Sequence, residues 1–134
     1  KAREAGDIKT FLTKYRPLDL DNLQTRMISG VGRNTGYGGL RNRALNLAKN
    51  NLENYFSYVG VFERLNDSLD LLRQNFPDLH IDQLPHVNRG KYAEETDEEA
   101  IELIKQFNRL DFEVYHTAVE LFDKAYSERQ SAAT

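Results

Sequence analysis

Three groups of residues have the types and spacing to do chemistry. In "NLQTRMISG", the polar Asn22, Gln24 and Arg26 alternate with the apolar Leu23, Met27 and Ile28. At helical spacing Asn22 and Arg26 share a face, which either meets solvent or looks into a polar cleft. A second group is basic: Arg33, Arg41 and Arg43, in and after a glycine-rich stretch. The third, His86, Asn88, Arg89 and Lys91, lies in "PHVNRGKY". Arg and Lys beside exposed backbone amides on a loop can hold phosphate or sulfate. A solvated surface is the competing reading of both basic clusters.

Other chemistries find less support. "GVGRNTG" is neither G-x-x-x-x-G-K-[ST] nor a G-x-G-x-x-G opening a helix after a strand, so it reads as a mobile loop. The three histidines, His80, His86 and His116, have no metal-ligand spacing. No metal site is expected, and no serine has a nucleophile context, so the catalytic set is empty. Zero cysteines exclude disulfides, thiolate metal sites and cysteine nucleophiles. That fits a reducing compartment, and a cytoplasmic location is expected. The carboxylates of "EETDEEAIE" suit a helix start.

The elements that must position these groups are mostly helical. "DIKTFLTKY" puts Ile8, Phe11, Leu12 and Tyr15 on one face before Pro17. A short helix follows in "DLDNLQTRMISG", stopped by Gly30. From Leu40, the residues Leu45, Ala48, Leu52 and Tyr55 or Phe56 line one face. From Glu63 a helix carries Leu65, Leu69, Leu72 and Phe76, and Pro77 ends it. "TDEE" reads as a capping box of Thr96 with Glu99, ahead of Ile101, Ile104 and Phe107. A last helix from about Asp111 turns Val114, Ala118, Leu121, Phe122 and Ala125 inward, and "SERQSAAT" reads as a frayed tail.

One segment breaks the helical pattern. "YVGVF", Tyr58–Phe62, is short, β-branched and aromatic, as in a buried strand. A strand bounded by helices suits a parallel sheet covered on both faces, yet the sequence offers it no neighbour. The expectation is a chain of 134 residues, 1–134, that forms the carboxy-terminal portion of a larger α/β domain. It would be predominantly helical itself, with one short parallel-type strand near 57–62, the amino-terminal half lying upstream of Lys1. The competing expectation is an all-helical, non-catalytic interaction module with "YVGVF" as a buried linker. Faces such as Leu45–Ala48–Leu52 and Leu121–Phe122 would then pack together or on a partner.

Composition narrows the partners. A net charge of −3 gives no global attraction to nucleic acid or anionic lipid. No apolar run approaches the roughly 18 residues that span a bilayer. Neither nucleic acid nor membrane is therefore an expected partner.

Four blocks, in order, are "DNLQTRMISG", "ALNLAKNNLENYFSYVGVFERLNDSLDLL", "LPHVNRGKY" and "IKQFNRLDFEVYHTAVELF". Together, over roughly residues 19 to 126, they resemble the carboxy-terminal half of sulfotransferases. The branch concerned contains carbohydrate O-sulfotransferases and many bacterial relatives. The resemblance implies a P-loop kinase-like parallel sheet with flanking helices. It implies a metal-free transfer of a sulfuryl group from 3′-phosphoadenosine 5′-phosphosulfate to a hydroxyl or amine. It implies Asn88, Arg89 and Lys91 near the nucleotide's 3′-phosphate, and Asn22, Gln24 and Arg26 at the acceptor cleft. The family's phosphosulfate loop, its base and its 3′-phosphate Arg and Ser precede the matched blocks and are not in this sequence. Residues 1–134 alone are then not expected to catalyse the transfer; the missing amino-terminal half or a second copy would be required. Sugar, lipid, small phenol and peptide acceptors all stay open, a carbohydrate or small molecule being the expectation.

Overall fold

The computed structural model describes residues 6–32, 34–81 and 97–134. Helix α1 starts at Asp7, whose carboxylate accepts from the Thr10 amide, and runs through Ile8–Thr10 into a wider π turn at Phe11–Tyr15. A 3-10 turn at Leu18–Leu20 leads to α2, Leu23–Ser29. Gly30 ends α2 at φ 72°, a left-handed conformation that glycine adopts without strain. Then come α3, Asn42–Asn54; a 3-10 turn, Phe62–Arg64, running into α4, Leu65–Asn75; α5, Glu98–Phe107; and α6, Arg109–Ala132.

Helix α6 is the axis of the fold. Helices α2, α3 and α4 all pack on it, while α5 lies against α1. Two apolar clusters result. The first joins Leu45, Ala48 and Leu52 of α3 to Leu110 and Val114 of α6. The second joins Val61 and Leu71 to Phe122, whose side chain is fully buried. Among the described residues no helix is long and apolar enough to cross a membrane.

The segment expected to be a strand near 57–62 is not one: among the described residues there are no strands. Tyr58–Val61 is nonetheless not helical, and Val61 has extended backbone at φ −117°, ψ 123°. Val59 and Val61, two apart, pack into the first and second clusters respectively, while Gly60 and Phe62 face out. The physical reason for the missing strand is the missing partner. A strand exists only as part of a hydrogen-bonded ladder, and no described segment lies alongside. Only Val61 is satisfied locally: its N–H donates to Ser68 Oγ, and its carbonyl accepts from the Ser68 hydroxyl, each at 2.9 Å, and from the Arg64 amide. Among the described residues nothing pairs with the backbone of Tyr58, Val59 or Gly60. Ser68 thus clamps the end of the segment onto α4. Replacing it with alanine strands the buried Val61 N–H, and a loss of about 1–2 kcal/mol is expected in urea unfolding.

Other expectations need adjustment. Tyr55 and Phe56 do not continue the buried face of α3; they are exposed. In α4 the buried positions are Ser68 and Leu71, whereas Leu65 and Phe76 are exposed. Helix α5 is capped by Asp97, whose carboxylate accepts from the Ala100 amide; Thr96 of the expected capping box lies outside the described residues. Helix α6 begins two residues before Asp111 and continues through "SERQSA", so the tail is helical.

Candidate functional site

The glycine-rich stretch is held in place rather than mobile, and Arg26 is the reason. Its side chain rises from α2 into the loop and donates to the carbonyls of Gly32, Thr35 and Gly36. The same guanidinium donates to the Asp21 carbonyl at 2.8 Å and pairs with the Asp21 carboxylate. Asp21 in turn accepts from the Gly38 amide at 2.7 Å. Both charged residues are buried, at 6% and 1% exposure, so each depends on the other. Gly32 crosses so close to α2 that a Cβ there would lie 2.6 Å from the Arg26 Cβ.

Beside this lock, two helices cap each other. Asn22 sits in left-handed backbone at φ 51°, a conformation Asn tolerates. Its side-chain oxygen accepts from the amides of Leu110 and Asp111, the first turn of α6, at 2.8 and 3.2 Å. Asp111 returns the contact, accepting from the amides of Gln24 and Thr25 at 3.1 and 2.7 Å and from the Thr25 hydroxyl at 2.6 Å. Asn108, between α5 and α6, accepts from the Asn22 amide and donates to the Leu20 and Ile104 carbonyls. The orphan amides at the start of α2 and α6 are thereby satisfied across the helix interface.

This arrangement walls a cleft of about 300 Å3, lined by Gln24, Glu63, Asn108, Asp111, Phe112 and Tyr115. Asn108 and Asp111 are engaged in capping, which leaves four groups facing the opening. Gln24 and Glu63 are exposed, and Phe112 keeps 48% of its surface in solvent. Burial, and then the Glu63 carboxylate beside it, push the Tyr115 phenol above its ordinary value. It therefore stays protonated at neutral pH and donates a hydrogen bond toward Glu63. The cleft offers an aromatic face, one hydroxyl donor, one carboxylate acceptor and a carboxamide that does both.

Of the acceptor-side residues expected from sequence, Gln24 lines this cleft. Asn22 and Arg26 are turned into the structure: Asn22 caps α6, and Arg26 fastens the glycine stretch. Asn88, Arg89 and Lys91 lie outside the described residues, as do His86 and Arg33. Arg41 bonds carbonyls of its own loop, at Gly38 and Leu40, and Arg43 is exposed. Sequence reasoning missed Glu63, Phe112 and Tyr115 as cleft residues. It also missed Asn108 and Asp111 as caps, although "NRLD" before an apolar-periodic run is a helix-start composition. Among the described residues no cluster of His, Asp and Glu could hold a metal ion.

No family model, curated protein or solved structure matches this chain.

Proposed function

We propose that this chain is the carboxy-terminal part of a sulfotransferase. The full domain would move a sulfuryl group from 3′-phosphoadenosine 5′-phosphosulfate to a hydroxyl acceptor. One observation carries the reading. Tyr58–Val61 is non-helical, turns Tyr58, Val59 and Val61 into the core and has extended backbone at Val61, yet its first three residues have no backbone partner among the described residues. Exposed Tyr55, Phe56 and Phe62 flank it. An unpaired extended segment beside large exposed apolar side chains is what a sheet edge looks like when its neighbours belong to another stretch of polypeptide. The P-loop kinase-like sheet would be completed by an amino-terminal half or by a second copy.

In this reading the Gln24–Tyr115 cleft belongs to the acceptor side. Arg89 and Lys91, with Asn88 beside them, serve the nucleotide's 3′-phosphate, an assignment drawn from the sequence resemblance. Sulfuryl transfer needs in-line geometry and stabilisation of developing charge. The groups that supply these lie outside the four blocks, so residues 1–134 alone would be inactive. The test is a titration of adenosine 3′,5′-bisphosphate into a polypeptide extended upstream of Lys1. Arg89→Ala and Lys91→Ala are each expected to weaken binding about tenfold or more, the worth of a charge-assisted phosphate contact. Unchanged affinity would reject the role given to that loop.

A non-catalytic helical interaction module is the second reading. It is favoured by the two clusters closing around α6 and by the absence, among the described residues, of buried side-chain polar atoms without partners. A stable, cooperatively unfolding monomer on sizing and circular dichroism supports it; a self-associating species with exposed apolar surface supports the sulfotransferase reading.

A further inference from the structure

We infer that the partner of Tyr58–Val61 is a single strand that runs parallel to it and joins only the edge turned away from α4, through the Gly60 carbonyl and the Phe62 amide. The segment is then the last strand of its sheet on the α4 side. The inference rests on the proposed sheet and adds which edge is open and which atoms receive the neighbour.

The orientation follows from Val61. Its N–H and its carbonyl both point to the Ser68 hydroxyl, at 2.9 Å each. Across a trans peptide bond the carbonyl and the N–H point in opposite directions, and no described peptide bond is cis. The Gly60 carbonyl therefore points away from Ser68, and so does the Phe62 N–H. Neither has a partner among the described residues, and both residues are exposed. One residue of a parallel neighbour matches this pair: its N–H donates to the Gly60 carbonyl and its carbonyl accepts from the Phe62 N–H.

The opposite edge is shut. The Ser68 hydroxyl stands where a neighbouring backbone would, and the Val61 carbonyl also accepts from the Arg64 amide. Ser68 fixes the segment a second time through its own carbonyl, which accepts from the Tyr58 hydroxyl at 2.7 Å. The Tyr58 ring thereby lies over Gly60, where a Cβ would meet the ring's Cζ at 3.0 Å. The open groups are thus held in one direction before any partner arrives. The occupant is a strand of the polypeptide upstream of Lys1. Helix α3 comes shortly before the segment, as the crossover of a parallel pair does, and no described residue before α3 is a strand.

The test uses Phe62, whose N–H can be deleted at little local cost. Val61 has the extended backbone that a following proline requires, and Phe62 opens a 3-10 turn, where the φ of proline fits. In residues 1–134, Phe62→Pro and Phe62→Ala are both expected to keep the circular dichroism of the unaltered chain. In the polypeptide extended upstream of Lys1, the Phe62 amide of the unaltered protein should exchange about a hundredfold more slowly than in residues 1–134. There Phe62→Pro should lower the protection of the Gly60 amide about tenfold more than Phe62→Ala, which loses the same ring but keeps the donor. A Phe62 amide that stays fast in the extended polypeptide, or a Gly60 amide equally protected in the two variants, overturns the inference. If Tyr58 and Gly60 are slow there while Phe62 is fast, the sheet stands and only the assigned edge falls. Slowing of Phe62 in residues 1–134 as their concentration rises would give the edge to a second copy and overturn the inference too.

Discussion

Arg26→Ala is expected to destabilise the fold by about 3–5 kcal/mol, the cost of removing one partner of a buried ion pair. The substitution leaves the Asp21 carboxylate buried without a counter-charge, with only the neutral Gly38 amide and Asn22 carboxamide still donating to it. It also frees the carbonyls of Gly32, Thr35 and Gly36, which hold the glycine stretch against α2. A domain of this size has only about 5–15 kcal/mol in total, so a large unfolded population at room temperature should follow. Urea unfolding measures the loss. Asp21→Asn with Arg26→Met makes the argument sharper. Removing both charges should cost clearly less than the sum of the two single changes, because neither is then left alone. Additive losses would mean that the pair is not coupled as the geometry requires.

Asp111→Ala has the second largest expected effect, about 2–3 kcal/mol. A single helix cap is worth about 1 kcal/mol, and bonds to a charged acceptor are worth more. Here one carboxylate takes three donors at the start of α2. Asp111→Asn keeps one acceptor oxygen and should recover about half the loss.

Much of the helical framework follows from periodicity. The spacing of Leu45, Ala48 and Leu52, and of Val114 and Phe122, marks faces that are buried. Periodicity failed where an apolar residue meets nothing. Tyr55, Phe56, Leu65 and Phe76 fit the pattern of their helices yet stay exposed, because a helical stripe specifies direction and not the presence of a neighbour. The polar network was less visible for a different reason. Asp111 caps a helix 86 residues away in sequence, and no local rule pairs such positions. Arg26 and Asn22 show how the same residue types serve two purposes. As "N-x-x-x-R" on one helix face they suit a ligand cleft equally well, and only the buried carbonyls of the glycine stretch and the free amides of α6 decide the matter.

The strand expectation illustrates the limit in another way. "YVGVF" has strand composition, and Val59 and Val61 both turn inward, one to each apolar cluster. A ladder, however, is a property of two segments. Residues 58–60 read as strand and remain unladdered for one physical cause, a neighbour that no described residue provides.

Amide hydrogen exchange at Tyr58, Val59 and Gly60 tests that most directly. In residues 1–134 alone these three amides should exchange almost unprotected, while the Val61 amide, held by Ser68, is slow and serves as the internal reference. In a polypeptide extended upstream of Lys1, protection of Tyr58–Gly60 should rise about a hundredfold or more as the ladder forms. Amides that are already slow in the short chain, or that stay fast in the extended one, would contradict the claim that this segment awaits a sheet.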